Sequence, residues 1–289
     1  MISGSKAEMA VLRTFCREPF RYFSIKELAE KVKISKSWVY RVIGELERNE
    51  MILKERKAYR LDYSNIMSRR LKLFFDSEFV LSLSIGKRIV ELVNRIVYNI
   101  SPDSVLVGGS AAVGKHADES DIDFLVVASK KEVPQINNVN IVVMEKSDFE
   151  RGFMKGDDFI ISSLSYGKLL YDREYLINFY SKPLPPFSAE ALHEKIELCE
   201  RLRKRAYSLL RVDGNRARDE VLNLALQCAR IILLKKGMIP GVKREIPDQI
   251  EKENERLAEI IRSLLERRKI EETEIIRYLR FCSELISEM

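Results

Sequence analysis

The chain has 289 residues, 46% of them apolar and 33% charged, with a net charge of +6, enough for two or three domains with real cores. No stretch approaches the roughly 20 unbroken apolar residues of a membrane span, and Met1-Ile-Ser-Gly-Ser-Lys lacks the pattern of a secretory signal. Cys16, Cys199, Cys228 and Cys282 form no CxxC pair, so the reading is a cytoplasmic protein without membrane partner, disulfide framework or zinc site. The charge is uneven: residues 1–65 carry fourteen Lys or Arg against nine Asp or Glu, a bias that suits an anionic partner or a well-solvated surface.

Residues 1–65 read as one segment. Met9, Val11, Leu12 and Phe15 share a face of a first helix. Ser24 caps a short second helix, Ile25 to Val32, with Glu27 placed for a capping box. After a tight turn at Lys33-Ile34, Ser35 opens a third helix whose buried stripe is Val39, Val42, Ile43 and Leu46. Ile52 to Asp62 alternate around Glu55-Arg56-Lys57, which suits a hairpin.

That order resembles the winged helix-turn-helix family. The resemblance implies double-stranded DNA as a partner. Lys36, Ser37, Trp38, Tyr40 and Arg41 would lie at the end of the third helix that enters a major groove, and Lys54, Arg56 and Lys57 on the wing that meets phosphates. Trp38 is expected to pack under the wing rather than stack on sugar. A protein–protein module is the other use of such a fold.

Residues 66–82 are expected to form a helical connector, interrupted at Asp76-Ser77 and again from Ser82 to Gly86. Residues 83–185 read as an α/β unit. Ile89, Leu92, Val93 and Ile96 mark its leading helix, and Ser104–Val107, Ile122–Val127 and Val139–Met144 its strands. Gly108-Gly109-Ser110 makes a tight turn into a helix. Ser147 starts a further helix as a capping box, and Tyr166 to Tyr171 closes the unit as a strand or helix end.

The chemistry concentrates between Gly109 and Val127. Gly109 and Ser110 allow close backbone approach and a hydroxyl contact to a polyphosphate, with Ser120 as a further phosphate contact. Asp121 and Asp123 stand two apart, so that on a strand both carboxylates project to one face. Two carboxylates completed by phosphate oxygens suit Mg2+ or Mn2+, which offsets charge during phosphoryl or nucleotidyl transfer.

Here the chain resembles the minimal nucleotidyltransferases of the polymerase-beta superfamily, whose motif is Gly-Ser, a spacer, then Asp-x-Asp. The resemblance implies a nucleoside triphosphate substrate, metal-binding and catalytic roles for Asp121 and Asp123, and phosphate contacts from Gly109, Ser110 and Ser120. Two departures stand out. The family's third carboxylate, which binds metal and serves as base, falls at Asn140, and an amide cannot accept a proton in that way. Glu145 and Asp148 are candidates for replacing it, but spacing favours neither. Val113 stands where many relatives carry a basic residue. Lys115 and His116 follow the turn within reach of phosphate or base, with an exposed loop histidine the preferred reading of His116. His193 reads as an exposed helix histidine. Lys155-Gly-Asp-Asp158 reads as a solvated loop or helix start rather than a second metal pair.

Residues 186–289 are expected to be four helices, Ala189–Arg211, Arg216–Lys236, Pro247–Arg268 and Glu271–Ser287, broken at Asp213-Gly214-Asn215 and Gly237–Pro240. The fold class is therefore multidomain α+β: a winged helix, a nucleotidyltransferase domain with a small mixed sheet, and an antiparallel four-helix bundle. The tail is similar to the higher-eukaryote-and-prokaryote nucleotide-binding (HEPN) domains, but lacks the Arg-spacer-His of their ribonucleases. Arg201, Arg203, Lys204 and Arg205 suit RNA or a solvated face. These readings point to transfer of a nucleoside monophosphate to a hydroxyl on protein, RNA or a small molecule, in a DNA-bound monomer or homodimer. The alternatives are a regulator with a degenerate, nucleotide-sensing transferase domain, or an antitoxin-like interaction protein.

Overall fold

The computed structural model describes residues 5–116, 121–129, 136–266 and 271–289. It divides into two compact units, Met1–Glu150 with Ser163–Leu184, and Arg151–Ser162 with Pro185–Met289. Among the described residues no helix is long and apolar enough to cross a membrane.

The first unit opens with α1 (Lys6–Arg17), capped by Ser5, whose hydroxyl accepts from the Glu8 N–H. Next come β1 (Phe23–Ser24), α2 (Ile25–Val32) and α3 (Lys36–Arg48). The Ser24–Glu27 capping box is formed in both directions, and the Ser35 hydroxyl accepts from the Trp38 N–H. Lys33 ends α2 at φ +57°, and its turn swings the chain directly into α3. β2 (Ile52–Glu55) and β3 (Ala58–Leu61) form a hairpin, and β1 pairs with β3, giving the antiparallel order β1-β3-β2. Val11, Leu12, Phe15, Leu28, Val39, Ile43 and Leu46 are buried, the faces that the helical periodicity marks.

α4 (Ile66–Leu81) runs unbroken through Asp76-Ser77, contrary to the sequence expectation. Asp76 does not compete for its own backbone, because its buried carboxylate is held by Lys72 one turn earlier and accepts the Leu169 N–H at 2.8 Å. The break comes only after Ser82, before α5 (Gly86–Ile100).

The second sheet comprises β4 (Ser104–Val107), β5 (Ile122–Val127), β6 (Val139–Met144) and β7 (Lys168–Asp172), in the order β6-β5-β4-β7. β4 is antiparallel to both neighbours, and β5 and β6 are parallel. β4 is buried throughout, and with Phe124 and Val126 it packs on the Ile89, Leu92, Val93 and Ile96 stripe of α5. After β7, Asp172 accepts the Leu176 N–H at 2.9 Å and starts a 3-10 turn, Leu176–Ser181. α7 (Lys146–Lys155) begins one residue before Ser147, so that serine lies inside the helix rather than capping it.

In the second unit, α8 (Asp158–Tyr166) contributes its first turns. Asp158 is ion-paired to Lys195 at 2.7 Å and Arg230 at 3.0 Å, and Lys195 also donates to Gln227 at 2.7 Å. Asp157 accepts the Phe159 and Ile160 N–H groups. Both carboxylates are thus engaged at a helix start. The remaining helices are α9 (Ala189–Leu209), α10 (Gly214–Lys235), α11 (Ile246–Ile250), α12 (Glu255–Leu265) and α13 (Glu272–Glu288). The single helix expected from Pro247 to Arg268 is instead two: α11 ends at Ile250, and Asn254 caps α12 by accepting the Leu257 N–H at 2.9 Å. Gly237, at φ +70°, terminates α10: its N–H donates to the Leu234 carbonyl and the Met238 N–H to the Leu233 carbonyl, both at 2.9 Å.

Candidate nucleotide site and nucleic-acid face

The site forms where β4 ends beside β5. The Gly108 N–H donates to the Asp123 carbonyl at 2.8 Å, which holds the glycine turn against β5. Gly109 adopts φ +59°, and a Cβ built there would lie 2.0 Å from Asp123 Oδ2. The absence of a side chain is therefore what lets the Asp123 carboxylate lie flush on the turn. The helix expected after it is a single turn, α6 (Gly109–Ala112), which carries Ser110. The Lys115 N–H returns to the Ser110 carbonyl at 2.9 Å.

Asp123 is the second residue of β5 and partly buried, whereas Asp121 stands exposed one residue before the strand. Burial raises the Asp123 carboxyl above the ordinary carboxylate range. The Asn140 hydrogen bond opposes that shift, Asp121 adds to it, and His116 opposes it. Two neighbouring carboxylates, one desolvated, make a place where a divalent cation relieves both burial and repulsion. The chemistry of the pair fits one such ion with phosphate oxygens completing its shell. Among the described residues no group of three His, Cys, Asp or Glu side chains is arranged to hold a metal. Ser120 lies outside the described residues.

The parallel register sets Asn140 directly opposite Asp123, and its amide donates to Asp123 Oδ1 at 3.2 Å. Glu145 follows the far end of β6, five residues along, or about 16 Å at strand rise. It cannot fill the position of Asn140, and Asp148, farther on in α7, cannot either. His116 is not the exposed loop residue expected. It is half-buried, with Nδ1 enclosed and without a hydrogen-bond partner among the described residues, and it lies close enough to Asp123 to influence its ionisation. Its place just after the glycine turn is the sequence signal for it, and the lack of periodicity there left its burial unread. His193 stays exposed, 3.4 Å from Glu197.

On the N-terminal segment, Lys36, Ser37, Tyr40 and Arg41 are exposed along the first half of α3, and Lys54, Arg56 and Lys57 are exposed on the β2–β3 hairpin. Arg56 sits at its tip with φ +54°. Trp38 does not pack beneath the hairpin. It is 47% exposed, with the Arg41 guanidinium 5.3 Å from its ring. Val39, Val42, Ile43 and Leu46 fill the core side of α3, which leaves Trp38 on the outward face.

Residues 87–205 match the family model described as Nucleotidyltransferase domain. The matched segment spans the glycine turn, both aspartates and Asn140, and it supports a nucleotidyltransferase-superfamily domain in this chain. Solved structures with a likeness include a nucleotidyltransferase-like protein from Exiguobacterium sibiricum 255-15, 16% identical over 68% of this chain and 72% of its own, TM-score 0.38. Another is spectinomycin adenyltransferase AAD(9) from Enterococcus faecialis, solved with ATP and spectinomycin, 14% identical over 70% of this chain and 97% of its own, TM-score 0.46. No curated protein matches the sequence.

Proposed function

We propose that the protein transfers a nucleoside monophosphate from a nucleoside triphosphate to a hydroxyl on a protein, an RNA or a small molecule, while its N-terminal segment holds double-stranded DNA. The observation that carries the transferase reading is Asp123 flush on the Gly109 turn with Asp121 beside it, inside the segment that matches the family model. Gly109 and Ser110 hold the triphosphate, with Ser120 as the further contact. Asp121 and Asp123 would hold Mg2+ or Mn2+, which would supply positive charge to offset that of the triphosphate. Asn140 keeps Asp123 oriented through its amide hydrogen bond and leaves proton removal from the acceptor hydroxyl to another group.

The DNA part rests on the helix, strand, helix, helix, hairpin order of residues 6–61 and on the exposure of Lys36, Ser37, Tyr40, Arg41, Lys54, Arg56 and Lys57. That order supports the winged-helix reading, in which α3 would enter a major groove and the hairpin would meet phosphates.

Asn140 favours a second reading, a regulator that senses nucleotide without turnover. One experiment separates the two: purified protein with each labelled nucleoside triphosphate and Mg2+ or Mn2+, beside Asp121→Ala and Asp123→Ala. Transferred label or released pyrophosphate that disappears in both variants supports the transferase. Saturable nucleotide binding with no turnover moves the assignment to the sensor, and absence of binding removes both.

A further inference from the structure

α4 buries one face and leaves the other bare. Ser68, Lys72, Phe75, Asp76 and Val80 are buried, while Met67, Phe74 and Leu81 are 51%, 53% and 61% exposed. These three stand seven residues apart, a spacing that drifts only about 20° per heptad around a straight helix, so they form one nearly axial stripe. Ile66, 53% exposed, extends the apolar surface at the start of α4, and large apolar side chains aligned this way mark a contact.

The stripe is symmetric about Phe74. Met67 and Leu81 lie seven positions to either side, and Arg70 and Glu78 lie four positions to either side. We propose that two copies of this chain associate through α4, packed antiparallel about a two-fold axis at Phe74. Met67 of each copy then meets Leu81 of the other, Phe74 meets itself, and Arg70 meets Glu78 twice. Self-complementarity of this kind is what an isologous interface requires, and an unrelated helix would have no need of it. Arg70 and Glu78 are available for it while keeping their existing neighbours. Arg70 is 3.4 Å from Glu174 with its side chain 64% exposed. Glu78 accepts from Arg13 at both oxygens, at 2.9 Å and 2.7 Å, and its side chain, 41% exposed, keeps further lone pairs for a cross-axis partner.

Size sets the expected strength. A 16-residue helix is about 24 Å long, and one stripe of it buries less than the roughly 800 Å² per partner of a stable complex. The dimer is therefore weak. α1 packs on α4, and the Asn65 side chain that caps α4 also donates to the Asn49 and Glu50 carbonyls beyond α3. The same axis thus relates two copies of α3, the arrangement that reads paired DNA half-sites. That last consequence rests on the winged-helix reading, whereas the α4 seam does not.

The test is sedimentation equilibrium of the full chain without DNA, from about 1 to about 300 µM. Reversible dimerisation is expected, weakened at least about 30-fold by Phe74→Glu. Arg70→Glu and Glu78→Lys should each lose self-association, and an equimolar mixture of the two should regain it, because every cross-axis pair is then opposite in charge. Recovery on mixing also shows that both variants fold. A wild-type protein that stays monomeric, or a dimer indifferent to Phe74→Glu, overturns the seam. Failure of the mixture to recover while both variants keep the wild-type circular dichroism and melting curve overturns the antiparallel pairing. Loss of DNA binding or transfer activity in any variant bears on the proposed function and leaves the seam standing.

Discussion

Gly109 has no room for a methyl group, because Asp123 Oδ2 occupies the position a Cβ would take, 2.0 Å away. Its φ of +59° adds strain for any other residue. Gly109→Ala should therefore displace the carboxylate, lower stability by about 1–2 kcal/mol and weaken nucleotide binding at least about 10-fold, as measured by melting and titration calorimetry. Asn140 offers the opposite experiment. Asn140→Asp sets a third carboxylate against Asp123 in the same register, which should strengthen Mn2+ binding about 10-fold. It should also raise the Asp123 carboxyl further by like-charge repulsion. The carboxyl is already raised by burial, and protons compete with the cation. Cation binding should thus weaken on acidification at a higher pH in the variant than in the wild type. Calorimetry at a series of pH values checks this, and a variant that binds no tighter would show that Asn140 does not face the ion. The Asp121–Asp123 spacing was legible in the sequence, and the family resemblance marked Asn140, which the register sets opposite Asp123. The enclosure of His116 was not legible, since it depends on a loop whose path no local pattern encodes.

At the scale of elements, α4 carries a buried charged centre that ties it to β7. Lys72 and Asp76 are paired, Asp76 accepts the Leu169 N–H, and Lys168 lies buried nearby, donating to the Tyr166 carbonyl at 2.9 Å. Asp76→Ala leaves Lys72 without its counter-charge and strands a β7 donor, a loss of about 3–5 kcal/mol readable as a shift in urea midpoint. Burial pulls the Lys168 ammonium down from 10.5 to about 8, with Asp76 opposing and Lys72 reinforcing the change. The unfolded chain therefore binds one more proton than the folded one between those values, and stability should rise with pH across that window. Lys168→Met should flatten the rise, and an unchanged pH slope of stability in that variant would place the titration elsewhere. This centre explains the misread break at Asp76-Ser77. Asp and Ser weaken an isolated helix, and only the fold supplies partners ninety residues away. The Ser24–Glu27 capping box was readable because both partners lie within four residues, whereas the same pattern at Ser147 misled, since α7 already begins at Lys146. The split between α11 and α12 was missed because Asn254 is an ordinary polar residue until its side chain turns to cap.

For the whole molecule, composition carried less than distribution. The net charge of +6 is small for 289 residues, but the basic surplus lies in the first 65, where it lines α3 and the hairpin with exposed cations. Many of these cations have only loose neighbours: Arg41 is 3.8 Å from Glu45 and Lys54 is 3.7 Å from Glu47, both at the surface, pairs worth about 1 kcal/mol or less. Phosphates can displace such neighbours at little cost. Each phosphate neutralised on duplex DNA contributes roughly −0.9 to the slope of log affinity against log salt concentration. Arg56 and Lys57 sit at the hairpin, away from base edges on the winged-helix reading. Arg56→Ala with Lys57→Ala should therefore reduce that slope by about 2 and weaken all sequences alike. Arg41→Ala on the groove-facing side of α3 should instead cost about 1–3 kcal/mol on preferred sequences and relax the preference. Both follow from fluorescence anisotropy with several duplexes across a salt series. A slope unchanged in the hairpin variant would mean that the hairpin does not touch phosphate, and the N-terminal segment would then be a protein-contact module.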